Sequence, residues 1–117
     1  MRVSVENIEG EIVKDNETYI LEDNNTLENL TLSRTILKPG MKTRGHSHES
    51  QEEVYFFHGY GGMVLGENSM TVEPGSVVLI PKGTFHQVIN FDKEKSLSFV
   101  CVFEKYDRSS DVAEYKK

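Results

Sequence analysis

The amino-acid sequence predicts an all-β fold, a jelly roll in which short antiparallel strands build a barrel. Between residues 30 and 103, β-branched and aromatic residues occur in short runs separated by turn residues, a pattern typical of all-β sandwiches and barrels. Pro39-Gly40, Pro74-Gly75 and Pro81-Lys82-Gly83 mark three of the turns. No stretch of about ten residues in this region has the apolar period of an amphipathic helix. We therefore expect about nine or ten short strands joined by tight turns.

The individual strands follow from the same pattern. We predict strands or extended segments over residues 2–7, 11–14, 18–21, 30–37, 43–48, 53–57, 63–65, 69–72, 77–80, 86–91 and 97–103. Residues 63–65 and 69–72 should form a hairpin around Gly66-Glu67-Asn68. Residues 77–80 are a continuous apolar run, which predicts burial on both faces. We expect one domain over residues 1–117, with a barrel core at about 30–103 and a polar tail at 104–117 that forms a short helix or frays.

Composition narrows the classes of function. The chain has 117 residues, a net charge of −6 and no block of Lys or Arg, which argues against nucleic acid or an anionic membrane as a partner. It has no run of about 20 apolar residues and no signal-peptide pattern at its start. The single cysteine, Cys101, cannot form an internal disulfide. We expect a cytoplasmic protein, and a homodimer, because a small all-β domain leaves much surface exposed.

Three of the four histidines occur in two patterned stretches. His46 and His48 are two residues apart, so on a strand both imidazoles point to one face. A glutamate four or five residues further on, at the start of the next strand, can return to the same place. In the second stretch, an apolar strand ends in a Pro-x-Gly turn and His86 opens the following strand. Together these residues suggest a metal site made of three imidazoles and one carboxylate.

These stretches resemble the two motifs of the cupin superfamily. The second motif, G-x5-P-x-G-x2-H-x3-N, matches at every fixed position, namely Gly75, Pro81, Gly83, His86 and Asn90. The first motif, G-x5-H-x-H-x(3 or 4)-E-x6-G, matches at Gly40, His46 and His48. The resemblance spans about residues 30–103 and implies a small, single-domain, metal-binding cupin with a jelly-roll barrel, also called a double-stranded β-helix. Proteins of this kind include relatives of the cupin domain of mannose-6-phosphate isomerases.

The glutamate of the first motif is ambiguous. Glu52 satisfies the written spacing and has Gly59 six residues on, whereas Glu53 has Tyr60 at that place. In many cupins the ligand glutamate directly precedes the apolar strand, which here begins at Val54. We therefore prefer Glu53 and keep Glu52 as the alternative. The choice matters because a shift of one residue moves the side chain to the other face of the strand.

Other residues near the motifs are candidates for contact with a substrate. Tyr55 shares a face with Glu53 on a regular strand, which makes it a candidate pocket residue. Arg44 and Lys42 precede His46 at intervals of two, so either could anchor a phosphate or carboxylate, or be a solvated strand-edge charge. We interpret Asn90 as a structural hydrogen-bonding residue and His58 as a turn or surface residue.

The implied ligand set suggests what the protein does. Three neutral imidazoles and one carboxylate suit one divalent ion of Mn, Fe, Zn, Ni or Co, and leave an octahedral ion two open positions for a small-molecule ligand. We expect Lewis-acid chemistry of the isomerase, epimerase or lyase type on a small anionic or sugar-like molecule. An Fe-dependent cupin dioxygenase and a non-catalytic module that binds metal and a small ligand are the alternatives.

Overall fold

The computed structural model describes residues 1–49 and 51–106. Within these residues the chain forms nine strands, and the all-β prediction is confirmed. The strands are β1 (Glu11–Asp15), β2 (Tyr19–Asn24), β3 (Leu30–Leu37), β4 (Glu53–His58), β5 (Gly61–Leu65), β6 (Asn68–Val72), β7 (Val77–Ile80), β8 (His86–Ile89) and β9 (Leu97–Glu104). The predicted tail lies outside the described residues from residue 107 to residue 117.

The strands form two antiparallel sheets with a jelly-roll arrangement. The larger sheet has the order β1-β2-β3-β9-β4-β7, and the smaller has the order β6-β5-β8. One cluster of buried side chains joins them: Met63, Val72 and Val88 come from the smaller sheet, while Tyr55 and Phe99 are among those from the larger. The inner faces of the two sheets therefore enclose the core.

The segment before β4 extends the smaller sheet without being a regular strand. Lys42 forms an isolated bridge with Ile89, and His46 forms one with His86. Gly45, between these two bridges, has a φ of 81°, a left-handed conformation that glycine adopts without steric cost. The predicted extended segment 43–48 thus lies beside β8, which places its histidines next to His86.

Asn90 holds the end of β8 in place. Its side-chain amide donates hydrogen bonds to the carbonyl oxygens of Leu37, Lys38 and Lys95, at 3.1, 3.2 and 2.8 Å. Its Oδ1 accepts a hydrogen bond from the backbone N–H of Asp92 at 3.0 Å. Because the residue is buried, these bonds satisfy carbonyl groups that would otherwise lose their partners. The structural role that the sequence suggested for Asn90 agrees with these contacts.

Two predictions about the strands are wrong. Residues 2–7 are not a strand, because Ser4 and Asn7 exchange both backbone hydrogen bonds, each 3.1 Å long, across a tight turn. Strand β7 is not buried on both faces: Val77 and Leu79 are 52% and 68% exposed, while Val78 and Ile80 are buried. The reason is that the outer face of the larger sheet is exposed here, as it is at Phe56 of the neighbouring strand β4, so only the inner face of β7 meets the core.

Within residues 1–49 and 51–106, no helix is long and apolar enough to cross a membrane.

Candidate metal site and its cavity

Four side chains that the sequence singled out, His46, His48, Glu53 and His86, meet in the interior of the fold. The carboxylate of Glu53 lies at the centre. Its Oε1 is 3.1 Å from Nε2 of His48 and 4.0 Å from Nε2 of His46. Its Oε2 is 3.4 Å from Nε2 of His86. The Nε2 atoms of His46 and His86 are 3.1 Å apart, so one carboxylate and three ring nitrogens converge on a small volume.

The backbone positions the histidines as a unit. His46 and His86 are bridged by two backbone hydrogen bonds, of 3.1 Å from N of His46 to O of His86 and 2.9 Å in the reverse direction. The carbonyl oxygen of His48 accepts a hydrogen bond of 2.7 Å from N of Gly83, in the turn that precedes β8. The motif around residues 46–48 is thereby fastened to the motif around residues 81–86.

Contacts behind the rings orient them. Nδ1 of His86 lies 3.0 Å from the carbonyl oxygen of Thr84. A proton on Nδ1 can be donated to this oxygen, which holds the ring with Nε2 on the side of Glu53. The ring of His48 has an edge-to-face contact with Tyr106, at a centroid distance of 5.2 Å. Such contacts favour one ring orientation before any ligand binds.

Electrostatics favour the ionised carboxylate and a neutral imidazole. Burial raises the pKa of Glu53, but the hydrogen bonds with His46, His48 and His86 outweigh burial and hold this pKa far below its usual range. Burial is also the main influence on His46 and lowers its pKa, against the opposing hydrogen bond with Glu53. A carboxylate and neutral imidazoles are the protonation states that bind metal ions.

The donor set fits a divalent metal ion. The ligand atoms of His46, Glu53 and His86 all lie within 4.8 Å of one another, and His48 brings a further Nε2 to the same carboxylate. Mixed imidazole and carboxylate donors suit Mn, Fe, Co, Ni and Zn. These side chains could therefore hold one metal ion.

The two candidate glutamates have opposite environments. Glu53 is 5% exposed and lies among the imidazoles, whereas Glu52 is exposed. The register of β4 explains the difference, because Glu53 pairs with Ile80 of β7 and alternates inward with Tyr55 and Phe57, which are also buried. Glu52 therefore points away from the cluster.

The cluster opens into a cavity of about 590 Å³ between the sheets. Tyr55 lines the cavity, with its ring stacked on Phe99 at 5.3 Å and edge-on to His86 at 5.5 Å. Arg44 and Lys42 also line it, and both are exposed, which places them at its rim. His58, by contrast, lies at the end of β4 and pairs on the surface with Glu6 at 3.4 Å.

Several lining residues escaped the sequence analysis. Ser33 and Thr35, on the inner face of β3, face the cavity, and so does Lys14 of β1. Strand β3 did carry a signal, since its buried positions are mostly polar while Leu32 and Ile36 are only half-buried. A strand whose hydrophilic side is the buried one indicates an internal cavity rather than a dry core. Lys14 carried no such signal.

Comparison with known proteins agrees with this site. The family model described as "Cupin domain" matches residues 33–103, which include both histidine motifs. This chain belongs to the cupin family, and the resemblance found in the sequence is confirmed at that level.

Two curated relatives share sequence with the chain. An uncharacterized protein of Methanocaldococcus jannaschii is 30% identical over 77 residues, covering 65% of this chain and 62% of that protein. Glucose-6-phosphate isomerase of Pyrococcus abyssi is 35% identical over 101 residues, covering 74% of this chain and 53% of that protein. The chain thus matches somewhat more than half the length of each relative. Neither is described as a mannose-6-phosphate isomerase, and that more specific resemblance stays a prediction.

Solved structures share the fold. A Klebsiella pneumoniae protein with a double-stranded β-helix domain superposes with a TM-score of 0.73 at 16% identity, covering 88% of each chain. Oxalate decarboxylase of Bacillus subtilis gives a TM-score of 0.73 at 17% identity, covering 83% of this chain and 29% of that one. At such identities the likeness establishes the jelly-roll fold alone.

The environments of the two glutamates lead to a matched pair of variants. Glu53→Gln removes the charged donor from the cluster without changing its shape, so we expect Mn(II) affinity to fall by about 100-fold or more. Glu52→Gln makes the same change one residue earlier, on the exposed face, and should leave affinity within about twofold of the wild type. Calorimetric titration with Mn(II) measures the affinity of both variants.

Equal affinities for the two variants would contradict the assignment of Glu53. A large loss with Glu52→Gln alone would reverse it. Circular dichroism and thermal melting of the same samples check that each variant is folded.

Proposed function

We propose that this protein is a metal-dependent enzyme that acts on a small anionic or sugar-like molecule by isomerase, epimerase or lyase chemistry. The observation that carries the proposal is the buried group of three imidazoles and one carboxylate at the wall of a cavity of about 590 Å³. A cavity of this size suits a small metabolite. The charged and hydroxyl-bearing side chains on its wall and the cations at its rim favour a hydrophilic, negatively charged one.

The proposed metal ligands are His46, His48, Glu53 and His86. One carboxylate neutralises only half the charge of a divalent ion, and four protein donors leave two positions of an octahedron open. When bound, the ion supplies a Lewis acid that polarises a carbonyl group or stabilises an enediolate. The oxalate decarboxylase that shares this fold is described as having Mn(II) centres, which supports Mn as the first ion to test.

Tyr55 and Arg44 are the proposed substrate contacts. The ring of Tyr55 is buried, stacked on Phe99 and held edge-on to His86, so the ring that carries its hydroxyl has a defined position beside the cluster. We propose that this hydroxyl donates a hydrogen bond to a substrate oxygen, which becomes more negative as a proton leaves the neighbouring carbon. At the rim, the guanidinium of Arg44 would bind the anionic end of the substrate.

The choice of isomerase chemistry rests on the Pyrococcus abyssi relative, which is a glucose-6-phosphate isomerase 35% identical over 101 residues. Interconversion of an aldose and a ketose needs a polarised carbonyl, a means of moving a proton between adjacent carbons, and exclusion of water. With a metal ion bound, the buried cluster and the hydroxyl of Tyr55 would polarise the carbonyl, and burial of the cluster would help to exclude water. A substrate with adjacent carbonyl and hydroxyl oxygens could occupy both open metal positions.

A homodimer stays part of the proposal. Val77 and Leu79 on the outer face of β7, and Phe56 on the neighbouring strand β4, are large apolar side chains exposed to solvent. An exposed apolar area on a sheet edge favours self-association.

The direct test is turnover of sugar phosphates under nitrogen. Purified chain loaded with Mn(II), Zn(II) or Co(II) should convert glucose 6-phosphate and fructose 6-phosphate into each other without oxygen, as followed by NMR. The Glu53→Gln variant, which lacks one proposed donor, is the matched negative control.

Two outcomes would overturn this proposal. Turnover that requires Fe(II) and consumes oxygen would indicate a dioxygenase. A thermal shift with several small acids and sugar phosphates, but no product from any of them, would indicate a binding module.

A separate prediction concerns the hydroxyl of Tyr55. Tyr55→Phe keeps the ring and its stacking on Phe99 but removes the hydrogen-bond donor, so kcat should fall by about 100-fold. Metal content and melting temperature should stay unchanged. Tyr60→Phe, at an exposed position, is the control and should retain wild-type kcat. An unchanged kcat in Tyr55→Phe would remove Tyr55 from the reaction.

A further inference from the structure

Strand β1 contains a β-bulge next to the cavity. Ile12 pairs with Glu22 of β2, and the next paired position joins Lys14 to Leu21, so Val13 is an extra residue without a partner. A bulge interrupts the ladder and changes the face to which the following side chain points. This irregularity therefore decides where Lys14 lies.

The bulge turns Lys14 inward. Leu21 is buried and lines the cavity, and the residue paired with it shares its face of the sheet. Without the bulge, Val13 would face Leu21 and Lys14 would face Ile20, where Asp15 now lies. Consistent with this, Lys14 is the one half-buried residue of β1, while the other four are exposed.

This arrangement reverses the usual preference. An ordinary amphipathic strand would direct the valine to the interior and the lysine to water. Here the ladder is interrupted, the valine is about half exposed, and the lysine lies against the cavity. Local rules broken in this way at the wall of a cavity are typical of positions that serve a ligand.

Lys14 adds to a positive cavity in an acidic protein. Lys14, Lys42 and Arg44 line the cavity, together with the carboxylates of Glu17 and Glu53. Glu53 is already engaged by three imidazoles. The chain as a whole has a net charge of −6, so this interior is distinct in sign from most of the surface. A cavity wall with several cations concentrates small anions.

We propose that Lys14 determines substrate specificity by binding an oxyanion group, a phosphate or carboxylate, at the end of the substrate that does not reach the histidine cluster. Arg44 and Lys42, in the segment that carries the first histidine motif, contribute further positive charge to the same cavity. The proposal deepens the proposed function and rests on it for the metal-bound end of the substrate. Strands β1 and β2 lie outside residues 33–103, which the family model matches, so this contact belongs to the part of the chain beyond that model.

Binding, not turnover, tests this role. The full chain loaded with Mn(II) is titrated calorimetrically with glucose 6-phosphate, glucuronate and glucose, which carry a phosphate, a carboxylate and no charge respectively. Wild type should bind the better anionic probe at least about tenfold more tightly than glucose, and the preferred anion distinguishes the two oxyanions. Lys14→Met should weaken that anion about tenfold, the usual effect of losing a charge-assisted hydrogen bond.

Two further variants separate the contact from overall charge and from folding. Lys93→Met makes the same charge change at an exposed loop position and should leave all three affinities unchanged. Deletion of Val13 removes the bulge but leaves Lys14 paired with Leu21 on the inner face, so it should keep anion affinity close to that of the wild type. Adding Lys14→Met to the deletion should then weaken the anion about tenfold, as Lys14→Met does alone. Melting temperature and Mn(II) stoichiometry are measured for each.

Equal anion affinities for Lys14→Met and Lys93→Met, or an equal loss for glucose, would overturn the role of Lys14. The outcome is independent of the reaction. Lys14-dependent anion binding without sugar-phosphate conversion would overturn the isomerase and leave this inference standing. Conversion by Lys14→Met at the wild-type rate and with the wild-type KM would overturn the role of Lys14 and leave the isomerase standing.

Discussion

The fold is organised around one buried charge, the carboxylate of Glu53. Taking a carboxylate out of water costs several kcal/mol unless partners compensate, and its partners here are three imidazoles that converge from two separate stretches of the chain. Glu53 belongs to the larger sheet, whereas His46 and His86 lie on the paired segments of the smaller one. The site therefore exists only when the two sheets face each other, which makes it part of the fold's stability as well as of its chemistry.

Because of this buried charge, the interior has two parts, an apolar core and a cavity lined partly by polar groups. Aromatic residues such as Phe57 and Phe99 pack between the sheets, while Ser33 and Thr35 of β3 turn hydroxyl groups toward the cavity. A jelly roll with an entirely apolar interior would bury more hydrophobic surface. Keeping a polar, accessible cavity beside the imidazoles gives up part of that stabilisation, as expected where a hydrophilic ligand must reach the site.

The sequence predicted which side chains cluster better than it predicted their surroundings, for physical reasons. His46, His48 and His86 follow from spacing, because strand periodicity and the Pro-x-Gly turn are local features. The sequence favoured Glu53 over Glu52 without fixing the choice, since the answer depends on which face of β4 turns to the interior. The apolar run 77–80 suggested a strand buried on both faces, but burial depends on what covers each face, and the outer face of β7 is exposed. Lys14 was missed because the bulge at Val13 arises from pairing with β2.

The central claim is that His46, His48, Glu53 and His86 together hold one divalent metal ion. Crystals of the Mn(II)-saturated protein, measured at the manganese absorption edge, test this directly through the anomalous difference map. The account predicts one strong peak per chain, bonded to Nε2 of the three histidines and to the carboxylate of Glu53, with the remaining positions facing the cavity. A peak held by other residues, or no peak among these four side chains in saturated crystals, would contradict it.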